Sequence, residues 1–197
     1  IDLDYVQRMM AWLLFVEPSS VGKRHAMQLG LGAASLTKFC RKKLRMATTA
    51  IELNPQVVAA CRLWFKLPAD DDRLSVILGD AAEVAASDHW RGQVDALQVD
   101  LYDHEAAAPV LDSEDFYADC RTLLTEDGCM TVNLFGRSSS YERSLDKIRG
   151  AFGDDAVEIE AVLSTTSVDG QKMDVVIQKL SGLKCINQAF WSPSTTE

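Results

Sequence analysis

The sequence predicts an α/β fold: a doubly wound, mostly parallel sheet of seven strands with an antiparallel C-terminal strand. Two observations indicate it. Short apolar runs alternate with helical segments as far as residue 152, and strands that alternate with helices form parallel sheets. Beyond that residue, two strand-like runs at 157–163 and 172–178 follow each other with no helix between them. A connection that short joins antiparallel strands, so the final strand runs against the others.

The elements follow in chain order from local signals. Pro18 and Gly22 end the first helix. Asn54 and Pro55 start the third, because asparagine caps a helix and proline suits its first position. Asp127-Gly128 closes the fifth helix. The predicted helices are 4–15, 33–44, 55–65, 81–87, 113–124 and 140–152, and the first five predicted strands are 25–29, 47–52, 74–78, 94–99 and 129–135.

Length and composition bound the classes of protein that fit. The 197 residues suffice for one α/β domain with a full core, and no linker or repeat interrupts them. We therefore expect a single domain over residues 1–182 and a C-terminal tail over 183–197. The net charge of −9 argues against nucleic acid as a partner, because sequence-independent binding to phosphates depends on Lys and Arg.

Two further patterns concern the location of the protein. The chain has no run of 18 apolar residues, so the sequence predicts no membrane partner. Its five cysteines are scattered and form no Cys-x-x-Cys pair, which predicts reduced thiols and a cytoplasmic protein.

Candidate binding residues stand where the predicted strands end. In an open α/β sheet, ligands bind outside the carboxyl ends of the strands. The glycine turn at Gly30 and Gly32 enters a helix, and Glu52 follows 20 positions after Gly32, a spacing typical of a site for a nucleotide-type cofactor. The candidate cofactor-binding residues are Gly30, Leu31, Gly32, Glu52, Leu53, Asp80, Ala81 and Asp100; Asp103 and Asn133 also follow strands.

The expected roles follow from these positions. The glycine turn would pack against the sugar and the amino-acid-like tail of the cofactor. Glu52 would accept hydrogen bonds from the two ribose hydroxyls, and Asp80 would accept one from the adenine amino group beside the Ala81 backbone. Asp100 would lie at the reacting end.

Two other chemistries lack their motifs. His25, His89 and His104 show no metal-ligand spacing, so the sequence predicts no metal site. There is also no Gly-x-Ser-x-Gly turn of a serine hydrolase.

Four stretches of the sequence carry a family pattern: Leu29-Gly-Leu-Gly-Ala-Ala-Ser35, Ile51-Glu-Leu-Asn-Pro-Gln-Val-Val58, Leu78-Gly-Asp-Ala81, and Val94-Asp-Ala-Leu-Gln-Val-Asp-Leu-Tyr-Asp-His104 with Asp115-Phe-Tyr117. Together they resemble the polyamine aminopropyltransferases, the spermidine/spermine synthase family. The first three are shared with methyltransferases, and the fourth is more specific because it resembles the family's Asp-x-x-Asp loop and the acid-Phe-Tyr group that follows it.

The resemblance implies the class I methyltransferase-like Rossmann fold and an aminopropyl transfer. Glu52 and Asp80 would bind the nucleoside of decarboxylated S-adenosylmethionine. Asp100 would deprotonate and orient the attacking amine, and Asp103 would hold another amine of the polyamine. The acceptor would then be a polyamine or another small molecule, and a homodimer is left open.

Departures from the family pattern keep two alternatives open. Ala33 stands where the family usually carries the aspartate that holds the aminopropyl amine, and the stretch at Tyr5 lacks the family's His and Glu. Without that aspartate, nothing repels the carboxylate of intact S-adenosylmethionine, which favours a methyltransferase. The other alternative is a divergent, non-catalytic member that acts by binding.

Overall fold

The structure is a computed structural model that describes residues 4–102, 111–135, 138–153 and 173–179. Its described residues form a six-stranded sheet in the order β3-β2-β1-β4-β5-β6. The strands are β1 His25–Leu29, β2 Ala47–Glu52, β3 Leu74–Leu78, β4 Val94–Val99, β5 Leu124–Phe135 and β6 Met173–Lys179.

Strand direction agrees with the predicted fold class. Strands β1 to β5 pair in parallel, and β6 pairs antiparallel with β5, with Met173 opposite Phe135. The chain order reverses between β1 and β4, which lie side by side, so the ligand crevice of such a sheet is expected at their carboxyl ends. The mostly parallel α/β fold is confirmed. The predicted strand at 157–163 and the predicted tail at 183–197 lie outside the described residues.

Helices cover the sheet, and the first of them differs from the prediction. It ends at Met9, and the chain continues as a separate 3₁₀ helix over Ala11–Phe15, so the predicted continuous helix over 4–15 is wrong. The α-helices are α1 Asp4–Met9, α2 Ser35–Lys38, α3 Pro55–Leu63, α4 Ala81–Ala85, α5 Glu114–Leu123 and α6 Ser138–Phe152.

The start of β5 also differs from the prediction. The strand begins at Leu124, directly after α5, and its register with β4 shifts between Val94 and Ala96. Gly128 lies at this irregularity, where an added Cβ would stand 2.8 Å from the Val94 carbonyl oxygen. The Asp127-Gly128 pair therefore lies in an irregular part of the strand and does not close the helix, because pairing with β4 is present on both sides of it, at Leu124 and at Cys129.

The core has apolar clusters on both faces of the sheet. Met27 and Leu29 of β1 join the cluster under α5 and α6, whereas Ala26 joins the cluster under the N-terminal segment. This alternation is the period of two expected along a strand. Among the described cysteines, all four thiols are free and buried. No helix in the described ranges combines the length and apolarity needed to cross a bilayer.

Candidate functional site

A cavity of about 570 Å³ lies at the carboxyl ends of the central strands. Its volume is in the range typical of small-molecule sites. Of the residues predicted to bind a cofactor, seven line this cavity: Gly30, Gly32, Glu52, Leu53, Asp80, Ala81 and Asp100. Leu31 is buried behind the lining and contributes its backbone N–H to Glu52. Asp103 lies outside the described residues.

In the glycine turn after β1, a side chain would be tolerated less well at Gly30 than at Gly32. Gly30 has φ +87°, and an added Cβ would stand 2.2 Å from the Asp100 carbonyl oxygen. This close approach arises because the Asp100 N–H donates to the Leu29 carbonyl, which brings the two strand ends together. Gly32 has φ +51°, but an added Cβ would meet no atom within 4 Å.

We expect Gly30→Ala to destabilise the protein far more than Gly32→Ala. The first change adds a clash with the Asp100 backbone to an unfavourable φ, at about 3 kcal/mol or more. The second adds only the left-handed strain of an L-residue, about 1 kcal/mol. Urea denaturation of the two variants and the parent measures both effects. Equal losses of unfolding free energy would contradict the close contact between Gly30 and Asp100.

The Glu52 carboxylate is held by two backbone donors at the end of β2. Its Oε2 accepts a hydrogen bond from the Leu31 N–H at 3.0 Å, and its Oε1 accepts one from the Asn54 N–H at 2.9 Å. These bonds connect the glycine turn to the start of α3 and fix the carboxylate at the cavity wall. Each carboxylate oxygen can accept a second hydrogen bond, so two further donors can be bound.

Asp80 has a structural role as well as a place in the cavity wall. It caps α4, because its Oδ1 accepts a hydrogen bond from the Ala82 N–H at 2.7 Å. The neighbouring Gly79 N–H donates to the Glu52 carbonyl at 3.1 Å, which joins the ends of β2 and β3. The cap thus fixes Asp80 next to Glu52 on the same side of the cavity.

Asp100, at the end of β4, is a partly buried carboxylate of the cavity wall. Burial raises the pKa of its carboxyl above the usual value, and a hydrogen bond from Asn133 partly offsets this rise. That bond joins Asn133 Nδ2 to Asp100 Oδ1 at 2.9 Å. Tyr5 of α1 lies close enough that its pKa is raised, first by burial and then by the negative charge of Asp100.

Three residues around Asp100 received no specific role from the sequence, although Asn133 was noted as a strand-end residue. Tyr5 belongs to the N-terminal stretch in which the family's His and Glu are missing, and Asn133 lies on β5, the strand that pairs with β4. Tyr102 lines the cavity, and its hydroxyl donates to the Asn133 carbonyl oxygen. The available signal was the position of Asn133 near the end of a strand. Within the described residues, no group of three or more His, Cys, Asp or Glu side chains is arranged to hold a metal ion.

No family model matches the chain, but the curated sequences that match it are all polyamine aminopropyltransferases. The chain is 32% identical over 160 residues to a polyamine aminopropyltransferase of Neisseria meningitidis. The match covers 81% of this chain and 59% of the relative. The chain thus spans about three fifths of the length of the curated relatives that it matches.

Comparison with solved structures shows the fold. Human methyltransferase-like protein 13 in complex with SAH superposes with a TM-score of 0.76 and 18% identity, covering 94% of this chain and 86% of that one. The spermidine synthase from Thermotoga maritima superposes with a TM-score of 0.64 and 18% identity, covering 89% and 60%. The chain therefore has a methyltransferase-like Rossmann fold and, over four fifths of its length, is similar in sequence to the polyamine aminopropyltransferases.

Proposed function

We propose that this chain binds decarboxylated S-adenosylmethionine in the cavity and transfers its aminopropyl group to a polyamine. The observation that carries the proposal is the convergence of Glu52, Asp80 and Asp100 on one cavity at the point where the strand order reverses. The similarity to polyamine aminopropyltransferases supports the same reaction.

The nucleoside half of the cavity is assigned from its polar and apolar walls. Glu52 accepts hydrogen bonds from the two ribose hydroxyls, since both of its oxygens are already oriented by backbone donors. Asp80 accepts from the adenine amino group, beside the Ala81 backbone. Leu53 is 70% exposed and lines the cavity, and we assign to its side chain the role of covering the adenine ring.

The transfer itself is a displacement at the carbon next to the sulfonium. The lone pair of the acceptor amine forms a new N–C bond, the C–S bond breaks, and its electron pair stays on sulfur. The products are methylthioadenosine and an extended polyamine, and the proton of the amine passes to Asp100. The raised pKa of Asp100 makes it a stronger base than an exposed aspartate, and close placement of amine and carbon supplies the rest.

The acceptor end of the site carries a further part of the proposal. Asp103 holds a second amine of the polyamine, as the resemblance implies. The net charge of −9 favours the approach of a polycation, because a negative surface raises the local concentration of positive ligands.

Methyl transfer from intact S-adenosylmethionine is the second candidate. Ala33 favours it, because an alanine there leaves no acidic side chain to bind an aminopropyl amine or to repel the carboxylate of intact S-adenosylmethionine. The structural similarity to a methyltransferase-like protein in complex with SAH is compatible with this reading.

Calorimetry with three ligands separates the candidates. We expect methylthioadenosine and decarboxylated S-adenosylmethionine to bind, and mass spectrometry to detect spermidine after incubation with the latter and putrescine. Binding of intact S-adenosylmethionine alone would replace the proposal by methyl transfer. No heat with any of the three ligands would leave only a non-catalytic role.

A further inference from the structure

The Asn133 side chain has an unequal set of partners. Its Nδ2 donates to Asp100 Oδ1 at 2.9 Å, whereas its Oδ1 is buried and has no hydrogen-bond partner among the residues that the structure describes. A carboxylate only accepts hydrogen bonds, so the amide must turn its NH₂ group toward Asp100. The orientation of the amide is therefore set by Asp100, even though it leaves a buried oxygen without a donor in the described part of the chain.

This pattern differs from that of a buried amide with a structural role. Gln98 of β4 is more buried than the half-buried Asn133, and both ends of its amide have partners: Nε2 contacts Met10 Sδ at 3.1 Å and Oε1 accepts from the Cys40 thiol at 3.8 Å. An unpaired buried acceptor destabilises a protein. In Asn133 the NH₂ group of the amide is the part that has a partner, and that partner is Asp100. We therefore expect the role of Asn133 to lie in its effect on the Asp100 carboxylate.

The backbone around Asn133 keeps the amide in place. The residue lies in the β5–β6 ladder opposite Val175, and its carbonyl accepts a hydrogen bond from the Tyr102 hydroxyl. Tyr102 also lines the cavity, so its hydrogen bond connects Asn133 to the cavity wall to which Asp100 belongs.

We propose that Asn133 is a positioning residue, which holds Oδ1 of Asp100 and leaves Oδ2 to take the proton of the attacking amine. The role rests on the proposed transferase function. A hydrogen bond to the charged carboxylate stabilises that form, so Asn133 keeps Asp100 ionised against the effect of burial. Among the described residues, the other titratable groups near the carboxylate are Tyr5 on α1 and, along the cavity wall, Tyr102, Glu52 and Asp80.

Variants of Asn133 test this role through the pH at which Asp100 titrates. Asn133→Leu removes the hydrogen-bond donor at similar side-chain volume, so the pKa of Asp100 rises. The acid limb of the kcat/KM profile, where activity falls as the pH drops through that pKa, then moves to higher pH by roughly one unit. At a pH just below the parent limb, this is about a tenfold loss of activity. Asn133→Asp places a second carboxylate at the same point and moves the limb further in the same direction. Asn133→Gln keeps a donor and recovers part of the shift.

Gln98→Leu is the matched control, because it removes a buried amide from the neighbouring strand without touching Asp100. We expect it to lower stability but to leave the acid limb where it is. Titration of the aspartate carboxyl ¹³C signals by NMR, with Asp100→Asn to assign the resonance, measures the same pKa without any substrate. If the parent forms no product, the transferase proposal fails while the NMR titration still decides the role of Asn133. An Asp100 titration that is unchanged in Asn133→Leu would overturn the inference.

Discussion

Replacing Asp100 with asparagine is expected to reduce aminopropyl transfer by about 10²- to 10⁴-fold, the usual contribution of a general base. An amide cannot take a proton from the attacking ammonium, so the nucleophile stays blocked. The shape of the site is expected to survive, because Asn133 can turn its amide and accept a hydrogen bond from the new side chain with Oδ1, to which no described residue donates. Binding of methylthioadenosine should therefore change little.

The measurement is spermidine formation from putrescine across a range of pH, with methylthioadenosine binding followed by calorimetry. In the parent, burial raises the pKa of Asp100, so activity is present above that pKa and falls as the pH drops through it. The variant should lack this limb. Asp146→Asn is the control, since the Asp146 side chain is 71% exposed on α6 and pairs with Arg149 one helical turn away. Unchanged product formation in Asp100→Asn would remove Asp100 as the base.

Replacing Glu52 with alanine is expected to weaken methylthioadenosine binding by about a hundredfold or more. The change removes two hydrogen bonds from ribose hydroxyls to a charged acceptor, at about 1.5–3 kcal/mol each. It also releases the Leu31 and Asn54 N–H groups that orient the glycine turn. Calorimetry gives the change in Kd directly.

Two companion variants separate binding from folding in this test. Glu52→Gln keeps one acceptor oxygen and should give an intermediate loss. Glu83→Ala on α4 removes an exposed carboxylate near the same cavity edge and should bind like the parent. Circular dichroism reports whether each variant keeps its fold. Parent-like binding by a folded Glu52→Ala would show that the ribose is not held there.

The strand pattern and the strand-end residues could be predicted because both are local properties of the chain. Apolar runs mark the strands, and in a parallel sheet every strand points its carboxyl end to the same edge. The residues that follow β1, β2, β3 and β4 therefore come together in one cavity once the sheet forms. The assignment of ligand roles to these residues, and of an amine to Asp103, stays a prediction.

Features that depend on contacts between distant segments could not be predicted. The break after Met9 arises where the N-terminal segment packs on the sheet, since the Thr131 hydroxyl donates to the Met9 carbonyl. The bulge at Gly128 depends on the register between β5 and β4. The local sequence indicates neither the helix break nor the bulge, because both depend on hydrogen bonds to residues far away along the chain.

The sequence by itself determined which residues stand at the carboxyl ends of the strands, because strand periodicity and glycine turns are encoded locally. Only the tertiary structure decided what surrounds them. It placed Gly30 against the Asp100 backbone and Asn133 against the Asp100 carboxylate. The physical reason is that these contacts form across the pairs β1–β4 and β4–β5, whose partners are brought together by the sheet and not by proximity along the chain.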